Sequence, residues 1–550
     1  MDISLIYFIV ASIVLASLIF RRLLAFLAQP KGLFSILYFR HIVLPYLVRR
    51  HRFCGPWTRA EFILHLLYIC VNLFLVFFRM KSWNDSGSRA AELCLINLIF
   101  PLSAIHLSYL ADILGIKLST CRSIHRTTGL MALALLLYHV IMTFRTQGFT
   151  FSPREEANLF AIAAAISLGL LVLILVEGVR RWAYEIFLRG HQLLAVFFVY
   201  STWRHLTTST FYRIYLLIAS AMFGSLFFLQ LITVSYRNGL FARHGPPRAL
   251  VSFSTKIGEK DQLVVTAIHI RLSLPRPIRV EPGQYINLWM PSVSLWSWTQ
   301  SHPFTVTSWS NDAQNNLELL VQPCGGLTTK LSRYASKAMG GSLSFLALFT
   351  GPHGLSEDVH GYETVLVLAS GFGIATAIPN LKKMIHGYKT STSQVRRLHL
   401  VWQVESGEAI NTARALLNDL LGEDIIDRKK EIDLKEDTMN NGYRLHISIY
   451  VQDTQSHEFP LGQHGRVHFY HDIPDYRDIV SLEASGDLIK RLSNTWDEPG
   501  RTLVMVSTTS SLRDHIRKII QEKIYRNVKL SEQEYQPGAE GGLTCGTCRD

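Results

Sequence analysis

The sequence predicts a multi-domain membrane protein, in which an α-helical transmembrane bundle of about seven spans precedes a soluble β-barrel and an α/β region. Three observations predict it. Apolar residues gather in long, almost uncharged runs before about residue 236. Four histidines recur at one interval on two of those runs, and beyond residue 236 short β-rich runs lead to a strand–glycine–helix pattern. At 550 residues the chain is too long for one core, so separate folding units are expected.

Seven segments, near 3–20, 62–78, 93–111, 124–144, 157–176, 186–205 and 212–235, approach the roughly 20 apolar residues that cross hydrocarbon as a helix. The first reads as a retained helix and not a signal peptide, because it opens Met1-Asp2 without a basic stretch and Arg21-Arg22 follows as a stop-transfer flank. Basic loops tend to stay cytoplasmic. The first loop carries Arg21, Arg22, Lys31, Arg40, Arg49, Arg50, Arg52 and Arg59; the third adds Lys117 and Arg122, the fifth Arg180, Arg181 and Arg189. Alternate loops are poorer, so the N-terminus is expected outside and the soluble half in the cytosol. The net charge of +13 therefore sits beside anionic lipid and does not mark a nucleic-acid binder.

Seven cysteines, Cys70 and Cys94 within the spans and Cys121 just before one, form no disulfide framework. Cys545-Gly-Thr-Cys548 has metal or redox spacing, but without a second pair it reads as an unremarkable tail. Asn84-Asp85-Ser86 is a glycosylation triplet in an expected outside loop.

His125 and His139 lie fourteen residues apart on the fourth span, and His191 and His205 share that interval on the sixth. Fourteen helical steps return to within roughly 40° of the starting direction and rise about 21 Å. Each helix therefore carries one imidazole near each membrane surface, on one face. One span separates the two helices, so they run parallel, and His125 can meet His191 at the cytosolic level while His139 meets His205 at the outer level. Two facing imidazoles suit the axial positions of a haem iron, so the expected cofactors here are two b-type haems. Arg126 and Arg189 stand where they could pair with haem propionates or simply mark topology by snorkelling. His65 and His106 read as histidines hydrogen-bonded to neighbouring helices.

In the soluble half, Ala249–Ser254, Leu263–Leu272, Tyr285–Trp289 and Leu317–Val321 read as strands of a small barrel. Glu281-Pro-Gly-Gln-Tyr285 turns into a strand, Gln300-Ser-His-Pro-Phe-Thr305 begins one, and Gln322-Pro-Cys-Gly-Gly-Leu-Thr328 opens a helix. Thr364–Ala369 is a buried-type strand running into Ser370-Gly-Phe-Gly-Ile-Ala375 and a helix around Ala377–His386, a turn at which dinucleotide phosphates can approach bare amides. Arg397–Val404 and Arg501–Ser507 are further strands, and Glu405–Arg444 reads as a helix plus a surface loop.

Over about residues 90–535 the chain resembles the fungal ferric reductase family, within the superfamily that includes the NADPH oxidases. The residues that carry the resemblance are the paired histidines, then His302-Pro-Phe-Thr305, Gly325-Gly326-Leu-Thr328, Gly351-Pro-His-Gly354 and Gly371-Phe-Gly-Ile374, in that order. After N-terminal spans and a basic loop over 1–90, the resemblance implies a haem-binding transmembrane domain over 91–240, an FAD-binding β-barrel over 241–356 and an NAD(P)H-binding α/β domain of ferredoxin-reductase type over 357–550. It implies that His302, Pro303, Phe304 and Thr305 hold the flavin, with Gly325, Gly326 and Thr328 near the FAD phosphates, and that Gly371, Phe372, Gly373 and Ile374 form the NADPH loop.

The implied reaction is ferric-chelate reduction: electrons pass from cytosolic NADPH through FAD and the two haems to Fe(III) chelates or siderophores outside, with Cu(II) a second acceptor. Implied with it are a plasma-membrane location, a role in iron uptake and a downstream iron permease or multicopper oxidase. The alternatives are oxygen reduction to superoxide and, in another class, a redox-inactive seven-span transporter or scaffold. Two departures from the family stand out. Ser507-Thr508-Thr509 replaces Cys-Gly-Pro, and the chain continues past Tyr535-Gln-Pro537 to Asp550 where the family commonly ends on an aromatic. For a 2′-phosphate clamp, Arg396 and Arg397 are the candidates.

Overall fold

The computed structural model describes residues 37–50, 56–147, 152, 154–175, 184–206, 210–240, 242–243, 245–257, 263–294, 297, 300–338, 341–424, 443–452, 466–489, 500–523 and 528–533. The expected first span with Arg21, Arg22 and Lys31, the loop residues Arg52, Arg180 and Arg181, and the tail with Tyr535–Pro537, Cys545 and Cys548 lie outside the described residues. The chain divides into two compact units, Met1–Leu231 and Ile232–Asp550.

Among its described residues the first unit is built of helices and a short antiparallel pair, β1 (Tyr46–Val48) and β2 (Trp57–Thr58). Helix α1 (Arg59–Phe77) starts at a capping box: Glu61 N donates to Thr58 Oγ1 at 3.2 Å, and Thr58 N donates to Glu61 Oε2 at 2.8 Å. Helices α2 (Trp83–Leu102), α3 (Leu107–Leu114), α4 (Leu118–Gln147), α5 (Glu156–Ile174), α6 (Tyr184–His205) and α7 (Thr210–Arg237) follow, α7 running into the second unit.

The expected span 93–111 is corrected to two helices, because α2 ends one residue past Pro101 and α3 departs at 96°. Asn84-Asp85-Ser86 lies in the first turn of α2 and not in a loop; Ser86 is buried, with its hydroxyl 2.9 Å from Tyr138 Oη. Among the described residues four helices are long and apolar enough to cross a membrane, or five if the bent pair is one span. The expected sixth span is helical throughout as α6, and its composition differs from those four through Glu185, Arg189 and Arg204.

Many apolar side chains of this unit face outward, Leu193 and Val196 of α6 being 71% and 70% exposed, while the polar Asn72, Asn97 and Ser167 are buried. That inversion is what lipid requires of a helical bundle, and the protein is an integral membrane protein.

The second unit opens with two antiparallel sheets around one apolar core. One has the order β7–β4–β3–β8, from β3 (Arg248–Ile257), β4 (Leu263–Ile278), β7 (Gln314–Val321) and β8 (Leu343–Leu346). The other is β6–β5–β9, from β5 (Tyr285–Trp289), β6 (His302–Thr305) and β9 (Leu348–His353). Ile268 and Ile270 of the first sheet and Ile286, Leu288 and Phe349 of the second meet in that core. Short helices α8 (Leu327–Ser332) and α9 (Ala335–Ala338) follow β7.

A six-stranded parallel sheet completes the unit, in the order β13–β12–β11–β10–β14–β15. Its strands are β10 (Thr364–Ser370), β11 (Arg397–Val404), β12 (Leu445–Val451), β13 (Val467–Tyr470), β14 (Thr502–Ser507) and β15 (Val528–Glu532). Every residue of β10 is buried. Val365, Val367 and Ala369 point to the side covered by α10 (Ile374–Lys389) and α11 (Gly407–Glu423), while Leu366 and Leu368 point to α12 (Tyr476–Ser485) and α13 (Ser510–Lys523). A strand buried on both faces reads as a continuous apolar run, and each fully buried aliphatic side chain contributes roughly 1.5–3 kcal/mol.

Candidate functional site

The four histidines stand in the membrane unit at two levels. His125 of α4 and His191 of α6 face each other with ring centroids 6.2 Å apart and planes 55° apart. Two imidazoles that share one metal ion at about 2 Å each, with half a ring behind each bond, would stand roughly 6 Å apart, so the residues present fit one iron between them. Among the described residues Nδ1 of each ring is buried without a hydrogen-bond partner.

At the other level both rings are anchored by backbone. His139 Nδ1 lies 3.0 Å from Gly87 O, and His205 Nδ1 lies 2.9 Å from Ala157 O. A carbonyl only accepts, so Nδ1 carries the proton and the Nε2 lone pair is left for a metal. Gly87 makes the first contact possible, since a Cβ there would come within 2.9 Å of Met142 Cβ and hold α2 away from α4. His65 is engaged elsewhere: it stacks on Trp57 with centroids 5.2 Å apart, and Nε2 is 2.8 Å from Thr127 Oγ1 of α4.

In the barrel, β6 pairs antiparallel with β5, placing Pro303 opposite Asn287 and Thr305 opposite Tyr285. His302 and Phe304 lie two residues apart on this strand, so both rings project from one face, with centroids 6.5 Å apart. The segment Gly325–Thr328 folds beside them. Gly326 holds φ +56°, and a Cβ on it would lie 3.7 Å from His302 Cε1. Thr328 Oγ1 accepts from Cys324 N at 3.0 Å and Gly325 N at 3.1 Å, which braces the turn.

His302 Nε2 is buried without a hydrogen-bond partner among the described residues, as a ring awaiting a polar ligand would be. Burial, followed by the charge of Lys330, lowers the His302 pKa to about 4, so the ring is neutral at physiological pH.

At the carboxyl end of β10 the chain turns through Gly371, φ +49°, into Phe372 and Gly373, and Ile374 begins α10. Trp402 Nε1 of β11 donates to Gly371 O at 2.9 Å. Gly373 meets the neighbouring strand so closely that a Cβ would overlap the carbonyl oxygen of Ser507. Since β11 and β14 flank β10 on opposite sides, this turn is the switch point of the sheet, where an α/β fold opens a crevice to ligands. Ser507-Thr508-Thr509 ends β14 at that crevice: Thr509 N donates to Ser370 Oγ at 3.0 Å, and Ser507 Oγ is buried without a partner among the described residues.

The candidate clamp Arg396 and Arg397 is corrected, because both residues stand at the opposite, amino end of β11. Arg397 donates to Glu483 through Nε at 2.6 Å and Nη2 at 2.8 Å, and Arg396 lies 3.5 Å from Glu363. Burial raises the Glu483 carboxyl, but hydrogen bonds and charge from His399 and Arg397 outweigh it and hold the pKa down at about 2. Sequence reasoning missed this cluster, since its members lie on β11 and α12, far apart in the chain. Only the Glu483 position, a carboxylate in an otherwise apolar helix stripe, could have signalled it.

Three protein families match the chain in order. Residues 88–202 match the ferric reductase like transmembrane component, 260–367 an FAD-binding domain, and 362–435 the ferric reductase NAD binding domain. Ferric reductase transmembrane component 3 of Saccharomyces cerevisiae is 29% identical over 297 residues, which cover 52% of this chain and 38% of that protein. The probable cell surface ferric reductase kap2 of Aspergillus oryzae is 24% identical over 327 residues, 56% of this chain and 42% of that one. Ferric reduction oxidase 4 of Arabidopsis thaliana is 25% identical over 379 residues, 63% of this chain and 50% of its own length. The matches thus span half or less of those relatives. Along its length the chain thus carries a match to a ferric reductase like transmembrane component, then to an FAD-binding domain and then to a ferric reductase NAD binding domain.

Proposed function

We propose that this protein is a transmembrane ferric-chelate reductase that carries electrons from a cytosolic nicotinamide nucleotide to Fe(III) on the outer face. The observation that carries the proposal is the pair of imidazole levels in one bundle, with the 6.2 Å His125–His191 spacing at one level and backbone-fixed Nδ1 atoms at the other. Two such levels would let single electrons step through hydrocarbon, and the FAD- and NAD-binding domains of the same chain supply a source.

When bound, FAD accepts two electrons together and releases them singly, and each haem carries one. His125 with His191, and His139 with His205, would hold the two haems. His302, Pro303, Phe304 and Thr305 hold the flavin, with the neutral His302 ring able to hydrogen-bond it without adding charge. Gly325, Gly326 and Thr328 bind its phosphates. Gly371, Phe372, Gly373 and Ile374 admit the nicotinamide nucleotide, because a glycine at 373 keeps the loop against Ser507 and leaves the α10 amino end open. The loop charges orient the N-terminus outside and these two domains in the cytosol, with the plasma membrane as the site of action. Cu(II) is a second proposed acceptor, in keeping with the name of the Saccharomyces cerevisiae ferric/cupric reductase transmembrane component 2, 27% identical over 284 residues. The reduced metal would then pass to an iron permease or multicopper oxidase.

The test is ferric-chelate reduction by intact cells expressing the chain, with a reduced-minus-oxidised spectrum of the purified protein. The expected outcome is a two-haem b-type spectrum and chelate reduction insensitive to superoxide dismutase. Reduction abolished by the dismutase would make oxygen the acceptor. His139→Ala should remove about half the haem signal and all transmembrane reduction while flavin reduction persists; surviving transmembrane reduction would reject the path.

A further inference from the structure

In an α/β sheet of this kind the adenosine ribose lies past the carboxyl end of the strand beside the glycine loop. The side chain there discriminates a free 2′-hydroxyl from a 2′-phosphate. In this protein that strand is β11, which runs parallel to β10 with Gln403 opposite Ser370. Trp402 Nε1, bonded to Gly371 O at 2.9 Å, ties it to the loop itself. The residues just past Val404 are Glu405, which is exposed, and Ser406, the N-cap residue of α11.

The amino end of α11 would favour a phosphate by its dipole. Glu408 in the first turn already sets a carboxylate there, and it holds the Lys256 ammonium at 3.0 Å. Arg396 and Arg397 are occupied at the far end of the strand by Glu363 and Glu483.

We propose that this chain prefers NADH to NADPH and that Glu405 is the specificity-determining residue. The inference rests on the reductase reading for the nucleotide's presence, and it departs from the NADPH that the family resemblance implies. An ionised carboxylate only accepts hydrogen bonds, so it pairs with the two ribose O–H groups of NADH. A 2′-phosphate replaces one of those donors with acceptor oxygens and about −1.5 to −2 charges, facing the Glu405 carboxylate. Like-charge opposition of this sort is how a site rejects the wrong ligand.

Titration calorimetry of NAD+ and NADP+ against the full chain in detergent reads the preference without any electron transfer. NAD+ should bind at least ~10-fold more tightly, and Glu405→Arg should move the ratio by ~10-fold or more toward NADP+, with Glu405→Gln moving it less. NADP+ binding as tight as NAD+, or a ratio unmoved by Glu405→Arg, overturns the inference. So does Lys256→Ala abolishing a strong NADP+ affinity, since the lysine would then be reading the ribose. Fe(III) reduction measured on the same samples separates the two proposals. NAD+ preference without Fe(III) reduction removes the reductase reading and leaves this one, whereas Fe(III) reduction with preferred NADP+ binding does the reverse.

Discussion

The two units use their polar residues in opposite ways. In the membrane unit apolar side chains cover the outside and amides and hydroxyls lie within, with Asn97 Nδ2 donating to Asn72 Oδ1 at 2.9 Å and Tyr68 donating to Asn97 Oδ1. In the soluble unit both faces of β10 are dry, and polar groups enter the core as tightly paired charges such as Arg397–Glu483. The difference follows from solvent. Lipid offers helices no hydrophobic driving force, so hydrogen bonds and close packing hold them; water drives apolar burial and makes an unpaired interior charge expensive. The same residue type should therefore matter by different amounts in the two units.

The largest test of that contrast is Glu483→Ala, which leaves the Arg397 guanidinium buried without its partner. It should destabilise the soluble unit by about 3–5 kcal/mol, read by pulse proteolysis of the full chain in detergent, while the haem spectrum is unchanged. Its pH dependence has a definite sign. The folded carboxyl titrates at about 2 against 4.5 when unpaired, so its contribution is fully present above pH 4.5 and is lost as pH falls toward 2. Wild type and variant should converge over that window; a constant difference would mean that packing and not charge is at stake.

Next is Gly373→Val, whose side chain must displace Ser507. A loss of about 1–3 kcal/mol confined to the soluble unit, with nucleotide binding abolished, is expected. Tight nucleotide binding by that variant would reject the loop assignment. The smallest effect belongs to Asn97→Leu in the bundle, about 1 kcal/mol by thermal loss of the haem signal. A cost there as large as that of Glu483→Ala would break the contrast between the units.

Periodicity made much of this legible. The strands at Tyr285–Trp289 and Thr364–Ser370 are apolar runs of the right length, and the fourteen-residue histidine intervals recur within unbroken helices α4 and α6. Less was visible where partners are remote. Strands β8, β12, β13 and β15 are short or mixed in composition, and they form because the sheet beside them offers a ladder. The break between α2 and α3 was hidden because the apolar run continues through Pro101.

By itself the sequence determined the segregation into an apolar helical half and a soluble half, the histidine interval and the order of the flavin and nucleotide motifs, because these depend on local period and composition. Tertiary structure alone decided which nitrogen of His139 and His205 is anchored, that Gly373 must touch Ser507, and that Arg397 belongs to Glu483 and not to a ribose. Each of those is a contact between residues 48 or more apart in the chain. Partners so separated are chosen by packing, which no local pattern encodes.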